Sequence, residues 1–281
     1  MSNQLLVSSL SLGPVQLNMH DRSIMRAFYH DVMGLNVQKE DAVHIVFGLQ
    51  QRPLFILHDG EDVPMQSTGD AGLYHSAVLF ASQHDLASMV ERILSHALHL
   101  FQGSADHLVS EAFYFQDPEG NGIELYYDRD RSLWKWQNGQ VQMASLYIDP
   151  QAYIKQYLQR NGAQPEVVMG HFHLKVGDID LAKQFYHDVL GFDVTAALPG
   201  ALFLSLGGYH HHIGLNVWES AGAPPRIESL GLKQIEFVFT DPKELEALKV
   251  RLKAHKLLFQ EVDHGIIVHD PWKNQIQIRQ S

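Results

Sequence analysis

The sequence predicts an α+β fold in which four βαβββ modules form two open-barrel halves. An internal repeat is the first reason, because residues 25–37 match residues 182–194 at seven of thirteen positions without a gap. A fainter repeat aligns GLYHSAVLFAS, which starts at Gly72, with GLKQIEFVFTD, which starts at Gly231. The second reason is that every repeat has the same order of patterns: a strand, a helix and then short strands.

Each module begins with a strand that is followed by a helix. Residues 172–175 alternate apolar and polar side chains, which is typical of a strand with one buried face. In the first module Ile24, Phe28 and Val32 recur every four residues, and Gly34 is a stop signal for the helix that this spacing predicts. The third module repeats the same helical pattern at the equivalent place.

Short β-rich runs separated by turn signals complete each module. Examples are residues 42–47 and 54–57 in the first module and residues 201–206 and 211–218 in the third. The segments DPEGNG and DPWKN are rich in the residues that form turns between two strands. We therefore expect one helix and about three further strands in each module.

The repeats divide the chain into two halves joined by a connector. The N-terminal half covers residues 1–127, the C-terminal half covers residues 170–281, and the connector, residues 128–169, has no counterpart elsewhere. The modules, numbered 1 to 4 in chain order, cover about residues 13–58, 72–127, 170–218 and 230–280. A chain of 281 residues has the length of two ordinary domains.

Charge and hydrophobicity exclude several classes of function. Asp and Glu number 32 against 21 Lys and Arg, so the formal net charge is −11, which repels nucleic-acid backbones and anionic membranes. We therefore expect neither nucleic acid nor a membrane as a partner. The first twenty residues lack a positively charged start and no apolar run approaches a membrane span, so we expect a cytoplasmic protein.

The absence of cysteine narrows the chemistry further. It excludes disulfides, thiolate zinc sites, iron–sulfur clusters and a cysteine nucleophile. The sequence has neither a glycine-rich phosphate loop nor a Gly-x-Ser-x-Gly nucleophile turn. Histidine is unusually frequent, at 18 residues. Any chemistry in this chain is therefore expected to use imidazole and carboxylate groups.

The repeat allows equivalent positions to be compared within one sequence. Module 2 has His75 on its first strand and Glu124 on its last strand. Module 4 has Gln234 and Gln277 at the same positions. Glu124 belongs to an otherwise apolar strand, where a buried carboxylate is costly unless it is paired or bound to a metal, although the side chain can also point outward.

Module 3 differs from module 1 in the same way. His171 begins its first strand, where module 1 has Pro14, and His173 shares a strand face with His171. The last strand of module 3 begins with a run of three histidines that ends at His212, where module 1 has proline and apolar residues. A single strand histidine is more often structural, but imidazoles and a carboxylate together are common metal ligands. Because modules 2 and 3 both have these polar side chains and modules 1 and 4 lack them, we predict one metal site between modules 2 and 3. The counterpart between modules 1 and 4 is expected to lack ligands.

These motifs resemble the vicinal-oxygen-chelate superfamily, which includes glyoxalase I, fosfomycin-resistance proteins, bleomycin-resistance proteins and extradiol ring-cleavage dioxygenases. The βαβββ repeat with GHFHLKVGDIDLAKQFYHDVLGF carries the resemblance, which covers nearly the whole chain apart from the connector. The segments GLYHSAV, DHLVSEAFYFQDPEGNGIELYYD and GGYHHHIGLNVW look like its CatE-like catechol 2,3-dioxygenase branch.

The resemblance implies an extradiol dioxygenase that cleaves a catechol-type aromatic diol with dioxygen at a non-haem metal. The family's ligand pattern is two first-strand histidines and one last-strand glutamate, and it matches His75, His171 and Glu124. Fe(II) is the metal that this pattern favours, with Mn(II) or another divalent metal as the alternative.

The resemblance also implies three catalytic residues. His212 would stabilise the bound oxygen species and later donate a proton. Tyr114 would hydrogen-bond the substrate oxygen or a ring-derived intermediate. His107 would help to deprotonate or position the catechol, although its interval to Tyr114 is slightly shorter than the family pattern.

The position of the ligands departs from the best-known two-domain extradiol enzymes, in which the active site belongs to modules 3 and 4. In this chain the candidate ligands lie in modules 2 and 3. Either the modules pair differently in space, or the third ligand is another residue.

Three other functions stay open from the sequence. A metal-dependent isomerase or transferase like glyoxalase I usually has a second glutamate ligand near the end of the partner module, where this chain has His212-Ile213-Gly214. A metal-free binding protein predicts degenerate ligand positions, as in modules 1 and 4. A protein that binds a divalent ion without activity is the third. The ring substituents of the substrate and the oligomeric state are also open, and a homodimer is one outcome because such sheets often associate in pairs.

Overall fold

The computed structural model describes residues 10–60, 62–159 and 165–281. It confirms the α+β class: two curved sheets form open half-barrels, and helices pack against them. The largest cluster of buried apolar side chains includes residues from all four modules. Phe172 of one sheet and Phe237 of the other are in ring contact, with centroids 6.1 Å apart, so this core lies between the sheets.

Each module has the predicted order of strand, helix and short strands. Module 1 and the segment before it contain β1 (Leu10–Leu12), β2 (Val15–Met19), α1 (Arg22–Ala27), a π-helical turn (Phe28–Val32), β3 (Asn36–Glu40), β4 (His44–Leu49) and β5 (Arg52–Asp59). Module 2 contains β6 (Gly72–Phe80), α2 (Gln83–Ala97), a 3₁₀ turn (Leu98–Leu100), β7 (Phe101–Asp106), β8 (Ser110–Gln116) and β9 (Gly122–Asp128). The connector contains a 3₁₀ turn (Arg131–Leu133), β10 (Trp136–Gln137), β11 (Gln140–Val141) and α3 (Pro150–Tyr157).

The C-terminal modules repeat this arrangement. Module 3 contains β12 (Val167–Lys175), α4 (Ile179–Lys183), a π-helical turn (Gln184–Val189), β13 (Asp193–Leu198), β14 (Ala201–Ser205) and β15 (Ile213–Asn216). Module 4 contains β16 (Gly231–Phe239), α5 (Pro242–Ala254), β17 (Phe259–Val262), β18 (Gly265–His269) and β19 (Gln275–Gln280).

Each sheet is built from one module of each half. The 2–3 sheet has the strand order β13-β14-β15-β12-β6-β9-β8-β7, and β12 pairs with β6 at its centre. The 1–4 sheet has the order β17-β18-β19-β16-β2-β5-β4-β3, with β1 also paired to β16. The modules therefore pair as 2 with 3 and 1 with 4, which is the arrangement that candidate ligands in modules 2 and 3 require.

The register at the centre of the 2–3 sheet brings the polar positions together. β6 and β12 are antiparallel, with His75 opposite His173 and Ala77 opposite His171. β6 and β9 are parallel, with Ala77 beside Glu124. The central position Ala77 therefore separates Glu124 from His171. His75 lies two residues away on the same strand face.

Equivalent hydrogen bonds join the two modules within each half. Tyr29 of the first π-helical turn donates its hydroxyl proton to Asp117 Oδ2 at 2.9 Å, which ties module 1 to module 2. Tyr186 of the second donates to Asp270 Oδ2 at 3.0 Å, which ties module 3 to module 4. Both aspartates come from the DP turns that the sequence predicts before the last strand.

The connector packs against module 2. Its helix α3 contacts α2, and Tyr153 donates a hydrogen bond to Glu111 Oε2 at 3.1 Å. An irregular segment before α3 pairs with the end of β7 through an isolated bridge between Asp106 and Leu146. Across the described ranges, the chain contains no helix of the length and hydropathy that crossing a membrane requires.

Candidate metal centre

The three candidate ligands lie on neighbouring strands and are withdrawn from solvent. His75 on β6, Glu124 on β9 and His171 on β12 are 6%, 3% and 1% exposed. Among the described residues they form the single group of three histidine, aspartate or glutamate side chains arranged to hold a metal ion. Burying a carboxylate at this depth is costly unless it has a partner.

The donor atoms of the three side chains converge on one point. Glu124 Oε2 lies 2.9 Å from His75 Nε2 and 3.1 Å from His171 Nε2, and the two ring nitrogens are 3.3 Å apart. Two donor atoms that are each about 2.1 Å from one ion and at right angles are about 3.0 Å apart. The spacing therefore fits three ligands of one divalent ion. Two histidines and one carboxylate are a known ligand set of non-haem Fe(II).

The protonation states of these groups also suit a metal. Burial lowers the pKa of His171 to about 4, because the charged imidazolium loses its hydration. Burial by itself raises the pKa of Glu124, but the charge and hydrogen bonds of His171 and His75 bring that pKa well below its usual range. A neutral ring nitrogen and an ionised carboxylate are the forms that bind metal ions.

A cavity of about 830 Å³ opens from the ligand group. Its volume is in the range of about 300–1,000 Å³ that is typical of small-molecule sites. Five of the six predicted site residues line it, namely His75, His107, Tyr114, Glu124 and His171. The connector contributes residues 143–145 to the wall.

His107 and Tyr114 form a hydrogen-bonded pair in this wall. His107 Nε2 lies 2.6 Å from the Tyr114 hydroxyl, and His107 Nδ1 lies 2.6 Å from the carbonyl oxygen of Ala144. A carbonyl only accepts, so we assign the ring proton to Nδ1, and Nε2 then accepts from Tyr114. Burial and the charge of Glu124 raise the pKa of Tyr114 well above its usual value, so this phenol keeps its proton.

The structure does not bring His212 together with the other five residues. Its side chain is fully buried, its Nδ1 accepts from the backbone N–H of Leu206 at 3.2 Å, and its ring centroid lies 4.9 Å from that of Tyr209. Burial lowers the pKa of His212 to about 3, so the ring is neutral.

His211 lines the cavity in its place. Its ring centroid is 4.1 Å from that of His171, and its Nδ1 lies 2.7 Å from Nδ1 of His210. His210 Nε2 lies 2.8 Å from Asp128 Oδ1. Because the carboxylate accepts the proton on His210 Nε2, His210 Nδ1 accepts in turn from His211 Nδ1. His211 Nε2 is thereby left as a proton acceptor.

Sequence pattern has no means of selecting His211 from its two neighbours. Ile213 and Leu215 belong to the apolar core, so strand alternation counted backward places His212, not His211, on the cavity face. β15 begins only at Ile213, and the chain before it is irregular. The regular strand therefore stops at Ile213, and strand alternation does not apply to the three histidines before it.

Comparison with known proteins identifies the family of the chain. The sequence model of the family described as Glyoxalase/Bleomycin resistance protein/Dioxygenase superfamily matches residues 11–125 and 168–278. The chain belongs to this superfamily. The resemblance predicted from the sequence is thereby confirmed, and the two matched ranges leave out most of the connector.

A relative and two solved structures resemble most of the chain. A relative from Bacillus subtilis strain 168 named catechol-2,3-dioxygenase is 37% identical over 260 residues, which cover 89% of this chain and 90% of that protein. The crystal structure of a putative dioxygenase from Bacillus subtilis is 12% identical, with a TM-score of 0.64 over 96% of this chain and 84% of that one. Glyoxalase I from Zea mays is 15% identical, with a TM-score of 0.58 over 96% and 92% of the chains. At these identities the two structures show a shared fold.

The 1–4 sheet of this superfamily member carries amides at two positions where the 2–3 sheet carries candidate ligands. Gln234 occupies the position of His75, and Gln277 that of Glu124. Gln234 Nε2 donates to Gln277 Oε1 at 2.7 Å, and Gln275 Nε2 donates to Gln234 Oε1 at 2.6 Å. The amides satisfy one another by hydrogen bonding, as buried polar groups generally do.

Proposed function

We propose that this protein is an extradiol ring-cleaving dioxygenase that uses a divalent metal and dioxygen to open a catechol-type aromatic ring. The observation that carries the proposal is the buried group of His75, Glu124 and His171 at the wall of a cavity of about 830 Å³. Superfamily membership and the 37% identical relative named catechol-2,3-dioxygenase support it.

His75, Glu124 and His171 would hold the metal, with Fe(II) favoured by this ligand set and Mn(II) as the alternative. When bound, the ion supplies coordination positions for two vicinal oxygens and for dioxygen, together with the redox chemistry between them. The surrounding strands bury the three side chains almost completely, which strengthens electrostatic interactions between them.

Tyr114 and His107 act on one side of the ligand group. The ring of Tyr114 lies next to that of His75, with centroids 5.6 Å apart. Tyr114 keeps its proton and donates a hydrogen bond to a substrate oxygen when substrate is bound. Without substrate, the same hydroxyl donates to His107 Nε2. The Ala144 carbonyl accepts the proton on His107 Nδ1, which leaves Nε2 free to accept from Tyr114.

His211 acts on the other side, next to His171. Its Nε2 accepts the proton of a catechol hydroxyl, and the hydrogen bond from Nδ1 to His210 stabilises the ring in that role. Both atoms of dioxygen enter the ring-opened product, so the proton taken from the hydroxyl returns to the product from the same ring. General acid–base assistance of this kind is worth about 10²–10⁴-fold in rate.

The position expected to carry a second carboxylate in a glyoxalase-type isomerase has none. On β15 the residue next to His173 is Gly214, where an added Cβ would lie only 3.0 Å from the His173 ring. A side chain at this position would require the His173 ring to shift. Among the described residues, the cavity wall contains one further carboxylate, Glu219, whose side chain is 53% exposed.

Anaerobic loading with Fe(II), followed by aerobic mixing with catechols, tests the proposed function. We expect a yellow ring-fission product and one dioxygen consumed per catechol. The variant His75→Gln, which copies the residue found at position 234, is expected to lose both signals, whereas the control Gln234→Ala keeps them. Stoichiometric iron without colour or oxygen uptake would contradict the dioxygenase and favour an isomerase or transferase.

A further inference from the structure

The cavity extends well beyond the ligand group along β12. His171, His173 and Lys175 alternate along this strand and all three line the cavity. At about 3.3 Å per residue, His171 and Lys175 are about 13 Å apart along the strand. A bare catechol bound at the ligand group would leave this outer part of the cavity to water.

Three aromatic rings surround the outer part of the cavity. The ring of Tyr74 lies 5.1 Å from that of His173 and 5.5 Å from that of Trp218, and the rings of His173 and Trp218 are 5.6 Å apart. All three residues line the cavity. Such rings favour an apolar or aromatic segment of a ligand over water.

Lys175 is the one lysine or arginine in the described wall of the cavity, and its side chain is only 9% exposed. Its Nζ donates to the carbonyl oxygen of Thr68 at 3.1 Å, which occupies one of the three donors of an ammonium group. Glu219 Oε2 is 3.9 Å away, which is too far for a hydrogen bond. Burial lowers the pKa of Lys175, and the charges of Glu219 and Asp70 only partly offset this effect.

We infer that Tyr74, His173, Lys175 and Trp218 form a substrate subsite that takes an anionic group, so that the substrate is a catechol whose apolar or aromatic arm ends in a carboxylate. This inference rests on the proposed function. The catechol oxygens lie at the ligand group, the arm passes the aromatic rings, and the carboxylate binds the two open donors of Lys175. The exposed Glu219 side chain moves aside into solvent.

Binding to the anaerobic Fe(II)-loaded protein, measured by calorimetry, tests this subsite without turnover. The probes are 3-(3,4-dihydroxyphenyl)propanoate and 4-propylcatechol, which share the diol and the length of the arm but differ in its terminal charge. We expect the carboxylate to bind about 10-fold or more tightly than the neutral probe, since a hydrogen bond to a charged group has that effect.

Variants assign the preference to Lys175. Lys175→Met should bring the two affinities within about 2-fold, while Lys175→Arg should keep most of the preference because it keeps the charge. Glu219→Gln should enlarge the preference by about 3-fold, because it removes the competing carboxylate. Lys39→Met removes an exposed lysine of β3, which is 65% exposed, and is the control that should leave the preference unchanged.

The outcomes separate this inference from the proposed function. If both probes bind equally well to the unaltered protein, or if Lys175→Met keeps the preference, the subsite is contradicted while a catechol site stands. If neither probe binds the iron-loaded protein, the proposed function fails as well. Should Lys175→Met fail to fold, an unchanged preference in Glu219→Gln contradicts the subsite on its own.

Discussion

The 2–3 sheet and the 1–4 sheet have the same order of modules and strands but differ in what their central strands present. In the 2–3 sheet His75 and Glu124 point two donor atoms at one place, 2.9 Å apart. In the 1–4 sheet Gln234 and Gln277 form a hydrogen bond of 2.7 Å at the equivalent place. One fold thus presents either a candidate ligand set or a closed pair of amides, so the difference between the sheets lies in a few side chains and not in their strand order.

Contacts that support the fold are instead retained in both sheets. His173 and Asn216 are hydrogen-bonded at 3.0 Å in the 2–3 sheet. At the equivalent positions of the 1–4 sheet, Gln16 and His58 are hydrogen-bonded at 2.8 Å. Residues that differ between the sheets are therefore the better candidates for function, and the bond that both sheets share holds the His173 ring in place on the wall of the cavity.

The largest effect is expected for Glu124→Gln, which makes the 2–3 sheet resemble the 1–4 sheet. The amide retains the size and a hydrogen bond but loses the negative charge that a divalent ion requires. Because changes in residues behind the ligands already cost about 10–100-fold in metal affinity, we expect a loss of at least about 100-fold. Iron content after gel filtration measures it, and circular dichroism checks the fold. Full iron occupancy in this variant would remove Glu124 from the ligand set.

His211→Ala and His212→Ala compare two neighbours of which one lines the cavity. His211→Ala should keep iron and lose about 10²–10⁴-fold in kcat, because the proton acceptor next to His171 is gone. His212→Ala should keep most of its turnover and lose about 1–3 kcal/mol of stability, since the Leu206 N–H then lacks its acceptor. Steady-state kinetics and denaturant titration measure the two quantities. The reverse result would assign the catalytic role to His212.

A smaller effect is expected for Tyr114→Phe. The ring and its packing against His75 stay, while the donor to the substrate oxygen and to His107 is lost. A hydrogen bond to a charged group is worth about 1.5–3 kcal/mol, so kcat should fall by about 10–100-fold with iron content unchanged. Single-turnover mixing with iron-loaded protein measures this step. Turnover equal to that of the unaltered protein would exclude Tyr114 from the chemistry.

The smallest effect is expected in the 1–4 sheet. Gln277→Leu removes an acceptor of Gln234 and replaces it with an apolar side chain of similar size. Iron content and kcat should not change, and unfolding should show a loss of about 1 kcal/mol. A marked loss of turnover would mean that the 1–4 sheet contributes to activity. It would contradict the assignment of activity to the 2–3 sheet alone.

The fold was predictable from the sequence because the repeat is strong and local. The FYHDV segments, the apolar alternation of the first strands and the DP turns all recur at matched positions. The pairing of the modules could be inferred only from the candidate ligands. Because these residues lie in modules 2 and 3, they can meet only if the two modules share a sheet. Periodicity alone contains no information on which modules pair.

The candidate site was predictable where it lies on regular strands. His75, Glu124 and His171 lie within β6, β9 and β12, so comparison of equivalent positions places them correctly on one sheet. His211 lies outside any strand, so no periodicity applies to it. The wall formed by residues 143–145 belongs to the connector, which has no repeat partner for comparison.

Anomalous scattering at the iron edge, measured on crystals of the Fe(II)-loaded protein, shows directly where the metal binds. We expect one strong peak at the place where His75 Nε2, Glu124 Oε2 and His171 Nε2 converge, and none beside Gln234 and Gln277. A peak at another place, or no peak after loading, would contradict the assignment of the metal centre to the 2–3 sheet.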